Sequence, residues 1–300
     1  MSSQPSPPLV RAVTGAVAPR EPEDAAPERV EAALDLLGRR RLVVLTGAGL
    51  STDSGIPDYR GPDAPARMPM TYQEFTGSHV ARQHYWARSH VGWARMRRAD
   101  PNPGHRALAA LDADLLITQN VDGLHERAGT PRLVALHGRI ADVVCLGCRR
   151  VSPRADLQRL LGELNPTWLE RNADAAVRPD GDVELDDAST RGFVVPDCEV
   201  CGGVLKPDVV FFGESVPAER VAPCMAAVDA LAEGDGALLV VGSSLAVMSG
   251  LRFVRRAARA GTPVVIANRG RTRGDDLATL VVDIGCTAFA QGLIGRRVGD

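Results

Sequence analysis

Aromatic residues are scarce in this 300-residue chain, at 4%, and charge of neither sign dominates it. Few aromatics speak against the stacking platforms that hold single-stranded nucleic acid. A net charge of −2 gives no basic field for nucleic acid or for an acidic membrane surface. No apolar run approaches the roughly 20 residues that span a bilayer. Neither nucleic acid nor membrane is therefore expected as a partner. A secretory apolar region is also missing, so the six cysteines are read for a reducing compartment, where disulfides are disfavoured. The first twenty residues hold Arg11 and Arg20 and no acidic residue, a faint echo of a transit peptide. Pro5, Pro7, Pro8 and Pro19 spoil an amphipathic helix there. A cytoplasmic location is expected, with the mitochondrial matrix as the lesser alternative.

What is present reads as alternating helices and strands. Residues 1–27 are rich in Pro, Ala and Ser and are expected to be a disordered tail. Val30, Ala33, Leu34 and Leu37 then recur at helical spacing. Leu42-Val43-Val44-Leu45 predicts a buried strand running into Thr46-Gly47-Ala48-Gly49-Leu50-Ser51. A strand ending in Gly-x-Gly brings backbone N–H groups up to phosphates. It is not a dehydrogenase fingerprint, because Thr52 replaces the third glycine and no acid-ended strand follows at about twenty residues. Alone, this turn is a weak signal, and a plain strand-to-loop connection with no ligand is the lesser alternative. The next loop, broken by Gly55 and Pro57, carries Asp58, Tyr59 and Arg60. It could fold over a dinucleotide with Arg60 on a phosphate, or Asp58 and Arg60 could merely pair at the surface.

Residues 68–110 look helical and amphipathic, interrupted by Pro101 and Pro103, with most of their aromatics expected in the core. Leu115-Leu116-Ile117 is a strand delivering Gln119, Asn120, Val121, Asp122 and His125 to its carboxyl end. Leu133–Leu136 delivers His137, an imidazole suited to general-base work near neutral pH. Leu205–Phe212 is expected as a strand, followed by a helix over 218–232. Gly236–Val241 is apolar enough to be buried on both faces and breaks into Gly242-Ser243-Ser244. A helix over 250–260, a strand ending at Asn268-Arg269-Gly270, a strand over 280–284 and a short helix after Cys286 complete the chain. Every strand leaves its polar and glycine residues on the exit side. That arrangement predicts an α/β fold: a doubly wound, parallel, Rossmann-like sheet binding a nucleotide at one edge.

Cys145-x-x-Cys148 and Cys198-x-x-Cys201 form two knuckles, and four thiolates satisfy tetrahedral zinc. No coordination position stays open, so the zinc is expected to be structural. Cys224 and Cys286 remain as packing thiols. The expected organisation is a nucleotide-binding domain over 28–137 and 206–300, a small helical module inserted at 62–111, and a zinc-ribbon module over 138–205.

Taken together, these motifs resemble the sirtuins, NAD-dependent protein lysine deacylases, over residues 28–300. The match rests on Gly47-Ala48-Gly49-x-Ser51, Ser54-Gly55-Ile56-Pro57-Asp58-Tyr59-Arg60, Thr118–His125, Leu136-His137-Gly138, the cysteine knuckles, Pro207–Glu214 and Gly242-Ser243-Ser244-Leu245. Tyr85-Trp86-Ala87-Arg88 and the insert Leu164–Val195 look most like the class II, mitochondrial-type branch. The resemblance implies that Gly47, Ala48 and Gly49 approach the pyrophosphate, while Ser243, Asn268 and Cys286 flank the adenosine half. Ser51, Asp58, Tyr59, Arg60, Val121, Gly242, Ser244, Arg269 and Gly270 complete the NAD contacts. Asp122 would hold the nicotinamide carboxamide, Gln119 and Asn120 would address the second ribose and a water, and His137 would be the base. NAD is consumed: the acyl oxygen attacks the ribose, an alkylimidate forms, and lysine and O-acyl-ADP-ribose are released.

An acyl-lysine peptide is expected to add as a strand between Val210-Phe211-Phe212-Gly213 and the loop after Ser244, with weak sequence selectivity. Tyr85 and Arg88 lie one helical turn apart and resemble a pair that grips an acyl carboxylate, so acidic or bulky acyl groups are expected to be preferred over acetyl. A mono-ADP-ribosyltransferase on the same scaffold and a non-catalytic NAD sensor are the competing readings. The oligomeric state is open, with a monomer as the default.

Overall fold

Apolar side chains on both faces of a strand require cover on both sides, and the central strands of this chain meet that requirement. The computed structural model describes residues 25–58, 69–172 and 190–298. Nearly all of the expected tail, Tyr59, Arg60 and positions 173–189 of the insert lie outside the described residues. The strands are β1 (Arg41–Thr46), β2 (Leu115–Thr118), β3 (Leu133–Ala135), β4 (Gly138–Cys145), β5 (Val151–Pro153), β6 (Leu205–Val209), β7 (Gly236–Val241), β8 (Val264–Ala267) and β9 (Leu280–Val282). Six of them form one sheet in the order β3-β2-β1-β7-β8-β9, and every pairing in it is parallel.

The helices are α1 (Pro27–Gly38), α2 (Tyr72–Gly77), α3 (His79–Met96), α4 (Pro103–Ala110), α5 (Leu124–Arg127), α6 (Arg154–Leu164), α7 (Trp168–Arg171), α8 (Ala218–Ala230), α9 (Met248–Arg259) and α10 (Cys286–Val298). Alternation along the strands divides the core. Leu42 and Val44 face α1, α4 and α10, together with Leu239, Val241 and Phe289. Val43 and Leu45 face α8 and α9, together with Leu238, Val240, Phe253 and Val254. The sheet is doubly wound.

Register sets the level of the exits. Thr46 pairs with Thr118 and with Val241, Thr118 with Ala135, Val241 with Ala267, and Ala267 with Val282. The residues just beyond therefore form one rim. Strand order reverses between β1 and β7, and the crevice at such a reversal is where open α/β sheets take their ligands.

Three features differ from the sequence expectation. Leu205–Phe212, expected in the parallel sheet, forms β6 of a second, antiparallel sheet ordered β5-β4-β6. It stops at Val209, because the Val210 N–H turns to the His137 carbonyl and the Phe211 N–H to the Glu214 carboxylate. Periodicity does not name a strand's partner, and β4 and β5 were not anticipated as strands at all. The terminal helix α10 is 13 residues rather than short.

The inserted pieces share a core of their own. Phe75, Tyr85 and Trp86 of α2 and α3 pack with Val143, Leu157, Leu161 and Phe193 from the cysteine-bearing segment. Arg154 lies between the rings of Trp86 and Trp93, 5.1 Å from each centroid. Asn102 ties this region back to the rim: its oxygen accepts from the His105 N–H at the start of α4, and its Nδ2 donates to the Leu50 carbonyl at 2.7 Å.

Gly138 sits at the joint between β3 and the second sheet with φ of 79°, and a Cβ there would collide with the Asp208 carbonyl. Gly138→Ala is expected to cost about 2–3 kcal/mol of stability, from left-handed strain plus the clash. The check is a lowered denaturant midpoint at unchanged slope.

Candidate active site

The floor of the crevice is backbone meeting backbone. A Cβ on Gly47 would lie 2.7 Å from the Gly242 carbonyl oxygen, and one on Gly49 3.0 Å from it. These glycines let the loops after β1 and β7 touch. On that floor stand two hydrogen-bonded chains.

The first chain joins Ser51, Asn120 and Asp122. The Ser51 hydroxyl donates to Asp122 Oδ2 at 2.7 Å, and the Leu124 N–H donates to Oδ1 at 2.9 Å. Asn120 Nδ2 donates to the Gly47 carbonyl at 3.1 Å and to Ser51 Oγ at 3.0 Å. Burial raises the pKa of Asp122, and the Leu124 and Ser51 hydrogen bonds oppose that rise. Gly123, at φ of 74°, starts α5 and turns the chain back so that Asp122 can meet Leu124.

The second chain runs through Gln119 to His137. Ser243 Oγ donates to Gln119 Oε1 at 2.6 Å, and the Gln119 carbonyl lies 2.9 Å from His137 Nδ1. A carbonyl only accepts, so Nδ1 carries the proton and Nε2 keeps its lone pair. That nitrogen lies 2.8 Å from the Ser249 hydroxyl. His137 is pushed down to about 4, chiefly by burial, with Arg220 and Arg252 adding to the effect and the Gln119 carbonyl opposing it. It is a neutral imidazole at neutral pH.

His125 lies beneath the rim. Its Nε2 is 3.0 Å from Thr46 Oγ1, and its ring meets that of His105 edge-on with centroids 4.9 Å apart. Burial pushes His125 to about 3 and His105 to about 4, with Arg106 adding to the effect at His105.

At the far end, Asn268 Nδ2 donates to the Arg269 and Gly270 carbonyls, so this side chain shapes its own loop. Cys286 is buried against Gly242, and burial pushes its thiol to about 12. Ser244 is half-buried, and Leu245 beside it has φ of 54°, a left-handed strain at the loop after β7. Phe211 stacks with Tyr85 and with Phe75, each at 5.3 Å. Tyr85 is thus a buried core ring touching the 210–213 segment, while Arg88 is half-buried one turn along α3. Ser249 and Arg252, on α9, were not singled out in the sequence. Ser249 lies 112 positions from its partner His137, so no local pattern announces it.

The four knuckle cysteines lie with their sulfurs within 4.8 Å of one another. Cys145 and Cys201 sulfurs are 3.5 Å apart, and Cys148 and Cys198 sulfurs 3.9 Å. Tetrahedral zinc with sulfurs at about 2.3 Å separates them by about 3.8 Å, so the cluster fits a structural zinc. Gly203 is needed here, since a Cβ on it would sit 2.9 Å from the Cys145 sulfur.

These features define a doubly wound α/β protein with a polar crevice at its switch point, a neutral histidine on the rim and an inserted tetracysteine module. The Sir2 family matches residues 47–249. A protein named "NAD-dependent protein deacetylase 1" from Mycobacterium avium (strain 104) is 54% identical over 259 residues, covering 84% of this chain and 90% of that protein. A protein of the same name from Streptomyces coelicolor is 52% identical over 276 residues, covering 89% of this chain and 90% of the relative. The solved structure described as "Sir2 bound to acetylated peptide" is 29% identical with a TM-score of 0.67, covering 89% of this chain and 97% of that one. The chain described as "Sir2-p53 peptide-NAD+" is 28% identical with a TM-score of 0.67, covering 90% and 99%. The chain belongs to the Sir2 family, the sirtuins.

Two outcomes are expected. Chelation should unfold the tetracysteine module and lower thermal stability, because four closed thiolates contribute folding energy rather than chemistry. Activity lost to a chelator with melting temperature and circular dichroism unchanged would contradict the structural role. Acid should also destabilise the protein. Unfolded histidine titrates near pH 6.5, whereas buried His105, His125 and His137 stay neutral down to about 4, about 3 and about 4. Between about pH 6.5 and 4 the unfolded chain binds more protons, so stability falls as pH drops. His105→Met should flatten that slope by up to one proton, read from denaturant midpoints at a series of pH values.

Proposed function

We propose that this chain is an NAD-dependent protein lysine deacetylase. The observation that carries the reading is the meeting of Asp122, Asn120 and the neutral His137 at the β1/β7 switch point, in a chain that shares half its residues with proteins named as such deacetylases. NAD is a co-substrate here. Asp122, oriented by Ser51 and the Leu124 N–H, receives the nicotinamide carboxamide. The acyl-lysine oxygen then displaces nicotinamide at the anomeric carbon of the ribose. His137 takes a ribose hydroxyl proton at Nε2 as that oxygen adds to the imidate carbon. Water then adds at the acyl carbon, the bond from that carbon to the lysine nitrogen breaks as the proton held by His137 passes to the nitrogen, and free lysine and O-acetyl-ADP-ribose leave. The zinc enters none of these steps.

Finer points belong to the same reading. The peptide adds as a strand beside 210–213. Tyr85, packed against Phe211, and Arg88 one turn along α3 support a preference for acidic or bulky acyl groups over acetyl, and placement in the class II branch. A cytoplasmic location, with the mitochondrial matrix as the lesser alternative, is proposed with it.

Nicotinamide release should require both NAD and an acetylated peptide. His137→Ala should lower deacetylation by at least about a hundredfold. Asp122→Ala should lower turnover severely while zinc content stays intact. Because Lys206 is the only lysine in the chain and its side chain is 3% exposed, any acyl-lysine signal comes from the added substrate. Transfer of label from the ADP-ribose half of NAD to protein, in the absence of deacetylation, would favour the ADP-ribosyltransferase reading instead. Ranking acetyl-, succinyl-, glutaryl- and lipoyl-lysine peptides tests the acyl preference, which fails if acetyl turns over fastest.

A further inference from the structure

His137 is held between two hydrogen bonds that act together on its protonation. The Gln119 carbonyl fixes the proton on Nδ1, and the only other ring nitrogen, Nε2, faces the Ser249 hydroxyl at 2.8 Å. An unprotonated Nε2 can only accept, so the serine donates. Ser249 is 1% exposed, at the start of α9. The same helix start locks the other side of the ring's support. A Cβ on Gly250 would lie 2.7 Å from Gln119 Nε2, and Ser243 holds Gln119 Oε1. The acceptor that orients Nδ1 is thereby pinned through its own side chain.

We propose that Ser249 is a positioning residue for His137. Its hydroxyl keeps the ring neutral and in one orientation, with the Nε2 lone pair directed at the place that a ribose hydroxyl takes during turnover. The inference rests on the reading of His137 as the base. In the reaction the ribose O–H replaces Ser249 as donor to Nε2; its proton passes to that nitrogen, the new C–O bond forms, and Nδ1–H stays on the Gln119 carbonyl. The surroundings are consistent with a ring kept neutral. Arg252 on α9 and Arg220 on α8 both oppose a positive imidazole. Asp208 of β6, the carboxylate beside Gly138, is already engaged by Arg220 at 2.6 Å. Donation from Ser249 works in the same direction, because it stabilises only the neutral form.

The test uses Ser249→Ala and Ser249→Thr in the full chain. Imidazole 15N spectra of His137, recorded without substrate, should show the Nδ1–H tautomer in the parent protein. In Ser249→Ala the Nδ1–H tautomer should persist on the Gln119 carbonyl while the pKa rises by about one unit, with Ser249→Thr restoring the parent pKa. In kinetics, the acid limb of the deacetylation profile should move up with that pKa. Exchange of free nicotinamide into NAD, which precedes the proton transfer, should be spared relative to deacetylation. An unchanged pKa in Ser249→Ala overturns the proposal. So does a parallel loss of exchange and deacetylation with the acid limb unmoved, the pattern of a merely structural residue. If the parent protein releases no nicotinamide with any acylated peptide, the deacetylase reading fails, and the spectra still decide the role of Ser249.

Discussion

Two loops meet with no side chain between them, and the site depends on that contact. A Cβ on Gly47 would lie 2.7 Å from the Gly242 carbonyl, and one on Gly242 2.6 Å from the Leu50 nitrogen. Only glycine allows the exits of β1 and β7 to close to this distance. Once they do, Ser51 and Asn120 reach across from one side to order Asp122, and Ser243 reaches across from the other to order Gln119. The glycines are therefore the floor of the crevice. A side chain at any of them would force the strands apart and loosen both chains of hydrogen bonds.

Above that floor the electrostatics run toward neutrality at His137 and toward a protected carboxyl at Asp122. Burial is the leading cause in both cases, lowering His137 and raising Asp122. Two arginines, Arg220 and Arg252, reinforce the effect at the histidine. An imidazole so placed accepts a proton only when a donor is brought to it. The stability forgone by burying three neutral histidines at the rim is small at neutral pH, since their unfolded counterparts are then mostly neutral as well.

The inserted modules reach the chemistry through packing rather than through coordination. The helical segment and the tetracysteine segment share one apolar core, and Phe211 joins that core to the strand-like 210–213 segment. Gly138 links the same region to β3 directly after His137. A zinc that closes the knuckles thus stiffens one wall of the crevice without touching a reacting atom, which is the role expected of a closed four-thiolate site.

Much of this could be read from residues in order. The parallel strands, their glycine-rich exits, the Asp122 and His137 termini and the doubled cysteine knuckles are local patterns. Alternation, turn chemistry and ligand spacing are short-range consequences of backbone geometry. Partnerships were not legible. The sequence by itself determined which segments are the strands of the parallel sheet, that their polar ends share an edge, and that four cysteines suit zinc. Only the tertiary structure decided that β6 leaves the parallel sheet for an antiparallel one, that Tyr85 is packed in a core, and that Ser249 meets His137 across 112 positions. The reason is physical: periodicity reports which face of an element is buried, whereas pairing and side-chain contact depend on where the whole chain brings distant elements together.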